Sequence, residues 1–295
     1  ANGCTAADEV TITITGGPLA VNPAADPNEI CEGETAQLFA NAEGGTGVYT
    51  YTWTSDPVGF SASVADPVVN PTVTTTYYIE VNDGFNIATG EVMVSVNPLP
   101  QVDCPEAFAV CLDDEPFILE GASPEGGDYT INGTVLVTFD PLAYGAGDHE
   151  VAYTYTDANG CTNSCTFTIT VNEGPEVFAG DDQTIPFGTS TTIDDATASG
   201  AAPLLFSWEP AALLENATLL NPTTVNLEST TTFILTVTDA NGCTAADEVT
   251  ITITGGPLAV NPAADPNEIC EGETAQLFAN AEGGTGVYTY TWTSD

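Results

Sequence analysis

The chain contains no lysine and no arginine, against 42 aspartates and glutamates in 295 residues. That absence removes whole classes of function. With no cationic side chains to neutralise phosphates, nucleic acid is excluded as a partner. A P-loop lysine, a Schiff-base lysine and an arginine finger are equally impossible, and so are isopeptide cross-links that start from lysine. Side-chain ion pairs cannot form, apart from any made by His149, the only histidine. The surface must live with self-repulsion, which keeps a chain soluble but opposes compaction. Cations from the medium are the natural compensation. No apolar run is long enough to span a membrane, and no signal peptide is visible. A nucleophile elbow and a glycine-rich phosphate loop are both missing. Paired carboxylates such as Asp113, Asp114 and Glu115 have nothing near them that would raise a pKa or shape a cleft, so no enzyme is expected.

High negative charge often marks disorder, but 42% of these residues are hydrophobic and the apolar positions alternate. Val92, Val94 and Val96 alternate with other residues, as do Phe167, Ile169 and Val171, and Val249, Ile251 and Ile253. Each triplet reads as a half-buried strand of period two. Helical periodicity is essentially absent. Asn159-Gly160 and Asn241-Gly242 sit between such strands, where Asn-Gly predicts a two-residue hairpin turn with positive φ at both positions. Short strands with regular turn signals imply an all-β array of sandwiches.

Residues 1–56 reappear unchanged at 240–295, an offset of 239 residues (240 minus 1). Self-similarity at a fixed period is the signature of repeats, and this period suits several small domains copied as one unit. The expectation is a window on a longer tandem array; a single duplication is the plainer alternative. Proline-bearing joints divide the chain at Gly16-Gly17-Pro18 and its copy Gly255-Gly256-Pro257, at Asn97-Pro98-Leu99-Pro100, and at Glu173-Gly174-Pro175. The expected organisation is a C-terminal strand of a preceding Ig-like domain at 1–17, Ig-like domains at 18–97 and 98–173, a PKD/Ig-like domain at 174–256, and the start of the next first domain at 257–295. Short proline joints are stiff, so tandem seven-stranded sandwiches linked this way should form a rod.

The first and third domains resemble each other. Tyr51-Thr52-Trp53, Asn70-Pro71-Thr72 and Thr74-Thr75-Thr76-Tyr77 match Phe206-Ser207-Trp208, Asn221-Pro222-Thr223 and Thr230-Thr231-Thr232-Phe233. The second domain lacks the Trp. Ala179-Gly180-Asp181-Asp182-Gln183-Thr184, with Val237-Thr238-Asp239-Ala240-Asn241-Gly242-Cys243-Thr244, resembles the PKD-type and Ig-like repeats of large surface proteins of gliding Gram-negative bacteria. Phe139-Asp140-Pro141, followed by Tyr153–Cys161, resembles a sister Ig-like type in those proteins. The resemblance implies export, attachment to or release from the cell surface, and adhesion, gliding or structural roles. Such repeats often carry one Cys before strand B and another in the F–G turn. The first domain keeps only Cys31 and the third only Cys243.

Two of the eight cysteines are copies, which leaves six distinct ones. An even count in an acidic, lysine-free chain points to an oxidising, extracellular setting. In an Ig sandwich the A–B turn lies toward the next domain and the F–G turn toward the previous one. Cys31 would then meet Cys161, and Cys111 would meet Cys243. Cys104 and Cys165 remain for a bond inside the second domain. The rival pairings 104–111 and 111–161 stay open, since connectivity is not readable from sequence. A zinc site at Cys104, Cys111, Cys161 and Cys165 lacks the CxxC pairs of zinc ribbons.

His149 reads as an exposed turn residue. Candidate calcium ligands are Asp181, Asp182, Asp194 and Asp195, with Asp113-Asp114 and Asp26 with Glu29 also in loops or near joints; loose cation condensation is the alternative. No cofactor is required. Asn132-Gly133-Thr134 and Asn216-Ala217-Thr218 are glycosylation sequons, or plain turns. The functional expectation is an extracellular structural protein forming a long stiff fibre. The alternative is the stalk of a cell-surface adhesin. Expected partners are further copies of the repeat, neighbouring filaments and divalent cations.

Overall fold

The computed structural model describes residues 4–11, 16–284 and 286–294. The chain divides into two compact units. One holds Ala1–Pro105, Glu120–Leu136 and Ala152–Thr166; the other holds Glu106–Leu119, Val137–Val151 and Phe167–Asp295. The chain is all-β and built of Ig-like sandwiches.

In the first unit the alternation seen in sequence becomes one five-stranded sheet. Its order is Glu29–Cys31, Ile87–Asn97, Thr75–Asn82, Thr50–Asp56 and Ser61–Ala62. A smaller sheet orders Ala24–Asp26, Ala36–Phe39 and Val68–Val69. The core comes from inward positions of period two: Leu38, Trp53, Tyr77, Ile79, Val81 and Val94. The indole of Trp53 donates to Ala65 O at 3.3 Å, so this buried ring keeps its polar atom satisfied. In the same unit Tyr153 packs on Tyr129, and its hydroxyl bonds Gly127 N and Pro124 O.

The second unit repeats the plan. Gln183–Pro186, Thr244–Thr254, Thr231–Thr238 and Leu205–Glu209 form a four-stranded sheet in that order. Trp208, Phe233, Leu235, Val237, Val249 and Ile251 fill its core, and the Trp208 indole donates to Leu219 O at 3.0 Å. In each of three places a short strand runs parallel to the last long strand. Asn97 pairs with Cys31, Asn172 with Cys111, and Thr254 with Pro186. A proline, Pro186, therefore stands where the other two pairings have Cys31 and Cys111.

Several expectations change. Asn159 and Asn241 have no positive φ; only Gly160 (85°) and Gly242 (87°) do. These are longer turns, in which Asp157 N donates to Cys161 O and Asp239 N to Cys243 O. The aspartate carboxylate organises them, so both Asn residues can stay in ordinary conformations. The two-residue Asn-Gly hairpin lies instead at Asn132-Gly133, with φ of 50° and 76° between the paired Ile131 and Thr134. A helical turn occupies Pro141–Tyr144, capped by Asp140 Oδ1 on Leu142 N and Ala143 N. Asp at the cap with Pro at the first position is a helix start that a periodicity reading cannot see in four residues. His149 is a strand residue in Gly147–Thr156, packed near Phe139 and Tyr144, with Nε2 2.8 Å from Gly145 O. It is half-buried rather than an exposed turn residue, because those two rings cover it.

The strand expected at 1–17 lies partly outside the described residues, and residues 4–11 form no strand. The same sequence is a strand at Thr244–Thr254, where Thr231–Thr238 and Gln183–Pro186 flank it.

Candidate functional site: the cystine-bearing turns

Four turns carry the half-cystines that join distant parts of the chain. Two follow the parallel strand. After Cys31 the chain turns so that Glu32 N donates to Asn97 O and Glu34 N to Cys31 O. After Cys111 the same bonds run from Leu112 N to Asn172 O and from Asp114 N to Cys111 O. A carboxylate three residues on reaches back to the cysteine amide. Glu34 Oε2 accepts from Cys31 N at 2.9 Å, and Asp114 Oδ2 from Cys111 N at 2.7 Å. The other two turns precede the last strand. Asp157 Oδ1 accepts from Asn159 N and Cys161 N, and Asp239 Oδ1 from Asn241 N and Cys243 N. Every one of these four cysteines thus has its amide bound by a carboxylate. Charge-assisted bonds of this kind are the stronger class.

The structure bonds Cys31 to Cys161 and Cys111 to Cys243, with Cα atoms 5.5 and 5.6 Å apart and sequence separations of 130 and 132. It bonds Cys104 to Cys165, separated by 61 residues. The six cysteines are thereby used, which leaves the zinc reading without free thiols and the pairings 104–111 and 111–161 unformed. Cys161 and Cys243 are buried, 0% and 1% exposed. Cys4 and Cys270 are free and exposed. Of the capping carboxylates, Asp114 was read from sequence as a candidate calcium ligand, and no capping role was assigned to Glu34, Asp157 or Asp239. Their signal was present as Cys-x-x-Glu/Asp and as Asp-Ala-Asn-Gly-Cys.

The other candidates are mostly turn builders. Asp195 Oδ2 accepts from Asp181 N at 2.9 Å, and Asp182 Oδ1 from Thr250 N at 2.8 Å. Asp194 is exposed. Among the described residues no group of three or more His, Cys, Asp or Glu is placed to hold a metal ion. Asn216 Oδ1 accepts from Thr218 N and its hydroxyl, whereas Asn132 is exposed at its hairpin tip. Among the described residues no helix is long and apolar enough to cross a membrane.

The cysteine-free counterpart of these turns is Asp83-Gly84-Phe85-Asn86. Asp83 Oδ1 accepts from Asn86 N and Phe85 N, and Oδ2 from Thr46 N. The amide bonds, that of Asn86 foremost, hold its carboxyl below the usual aspartate range. A lowered folded pKa means stability present above the unfolded pKa of about 3.9 and lost as pH falls through the folded value. Asp83→Asn should therefore lower Tm at neutral pH, with the gap to the parent closing on acidification below about pH 3.9. Thermal scans of both proteins across pH check this; a gap independent of pH would show that the charge of Asp83 contributes nothing.

Residues 123–171 match the family described as HYR domain. No curated protein matches the chain. Among solved structures, an I-band fragment of titin is 14% identical, with 82% of this chain and 100% of that one covered and a TM-score of 0.40. Extracellular domains three to five of Drosophila OTK are 11% identical, covering 76% and 93%, with a TM-score of 0.30. A Ca2+-stabilized adhesin that helps an Antarctic bacterium reach out and bind ice is 15% identical, covering 85% and 77%, with a TM-score of 0.35.

Proposed function

We propose that this chain is an extracellular structural repeat whose sandwiches, at 18–97, 98–173 and 174–256, are stapled in series to form a long stiff fibre. The observation that carries the reading is the pair of long-range bonds, Cys31–Cys161 and Cys111–Cys243. On these boundaries each links the turn after one parallel strand to the turn before the last strand of the following sandwich. Such a link restricts bending at the joint and passes tension from one sandwich to the next. The likeness of Ala179–Thr184 and Val237–Thr244 to PKD-type repeats of gliding bacteria belongs to the same proposal. So do further copies of the repeat as the main partner and calcium as a condensed or bridging cation. The stapled series would serve equally as the stalk of an adhesin. Micrographs of native material separate the two: uniform filaments favour the fibre, and tethered stalks with a distinct tip favour the adhesin.

The test is the axial repeat. Strands of about eight to ten residues at roughly 3.3 Å each give a sandwich about 35–40 Å long with its turns. Three in extended series predict about 110–120 Å per 239-residue period. Helical reconstruction of native filaments measures this. A rise under about 60 Å would mean that the sandwiches fold back on one another.

A further inference from the structure

Three Asn-Gly pairs lie among the described residues, and the structure treats one differently. In Asn159-Gly160 the glycine amide donates to Asp157 O at 3.1 Å, and in Asn241-Gly242 to Asp239 O at 3.1 Å. In Asn132-Gly133 the two residues form the bare loop of the hairpin Asp128–Ile131/Thr134–Leu136. Both are exposed. Among the described residues neither the Gly133 amide nor the Asn132 side chain has a hydrogen-bond partner.

We propose that Asn132 is a site of spontaneous deamidation. The Gly133 amide gives its proton to water or hydroxide, and its nitrogen attacks Asn132 Cγ. A C–N bond forms, the bond from Cγ to the side-chain nitrogen breaks, and ammonia leaves. The product is a five-membered succinimide. Water then adds to one of its two carbonyls and opens the ring, to aspartate or to isoaspartate. Glycine is the right neighbour because it has no Cβ to crowd the ring. The chain has no lysine amine to intercept the succinimide, so water is left to open it. Each event adds one carboxylate to an already acidic surface. The isoaspartate route also inserts one backbone atom at the hairpin tip, against the two-residue geometry that pairs Ile131 with Thr134.

The reaction order follows from the hydrogen bonds. At Gly160 and Gly242 the attacking nitrogen must first give up its bond to an aspartate carbonyl. The test incubates the oxidised full chain at mildly alkaline pH and maps chymotryptic peptides by mass, with isoaspartate resolved by chromatography. Asn132 should convert about tenfold faster than Asn159 and Asn241, the factor that one amide hydrogen bond of about 1.4 kcal/mol represents. In urea, with the disulfides reduced, the three rates should converge. Asn159 or Asn241 keeping pace with Asn132 in the folded chain would overturn the proposal, as would the same ranking in urea.

Discussion

Trp208→Ala is expected to destabilise its sandwich by about 3–5 kcal/mol, the usual cost of emptying a large buried aromatic site. The ring is 0% exposed and packs among residues of the core cluster that includes Phe233, Leu235 and Val249. The loss has a second, smaller part, since Leu219 O would lose the indole donor; Leu219 is 51% exposed, so water can take up part of that bond. Trp208→Phe separates the two. It restores much of the volume but not the donor, and should fall between alanine and the parent. Hydrogen exchange of the amides in Thr231–Thr238 and Thr244–Thr254 reads the effect locally, without mixing in the other sandwiches. Protection lowered by less than about 1 kcal/mol relative to the parent would show that the site collapses around the cavity.

Acid should precipitate this protein, and stronger acid should not bring it back. Ordinary chains pass through neutrality and regain solubility as a cation. Here only His149 and the terminal amine can carry positive charge, because lysine and arginine are missing. Unperturbed Asp and Glu titrate near about 3.9 and 4.3, so repulsion should fade below about pH 4. Light scattering should rise there and stay high down to about pH 2. At neutral pH, millimolar calcium should promote association by bridging carboxylates, and monovalent salt far less. Chains that stay dispersed at about pH 3 would show that something other than charge keeps them apart, a glycan coat above all.

The duplicated segment shows which parts of the fold sequence can specify alone. Ala20–Val21 pairs with Ala42–Glu43, and the copy Ala259–Val260 pairs with Ala281–Glu282 in the same register. Ala24–Asp26 and Ala263–Asp265 behave likewise. These pairings join strands that both lie inside the duplicated segment. Trp53, by contrast, is fully buried while its copy Trp292 is 50% exposed, and Leu38 is 0% exposed while Leu277 is 48%. Thr75–Asn82 pairs along the whole of Thr50–Asp56, and no such strand lies on the copy among the described residues. Period two therefore told which side of a strand is apolar, and only the nonlocal strands decide whether that side is covered. Register places Cys31 and Cys111 at the same paired position, opposite Asn97 and Asn172. Asn159 and Asn241 were misread because an aspartate two residues earlier outcompetes the Asn-Gly preference, whereas the plain-turn reading of Asn132-Gly133 describes its hairpin.

The carboxylate cap also exists where no bond has formed. Cys270 N donates to Glu273 Oε2 at 2.9 Å, as Cys31 N does to Glu34, although Cys270 is free. The same four residues therefore build the same capped turn with or without a disulfide. Closing a loop of 130 residues from an unfolded chain is entropically slow, and a random search among eight thiols would offer many wrong pairs. A thiol already held in its turn meets only the turn that docks against it.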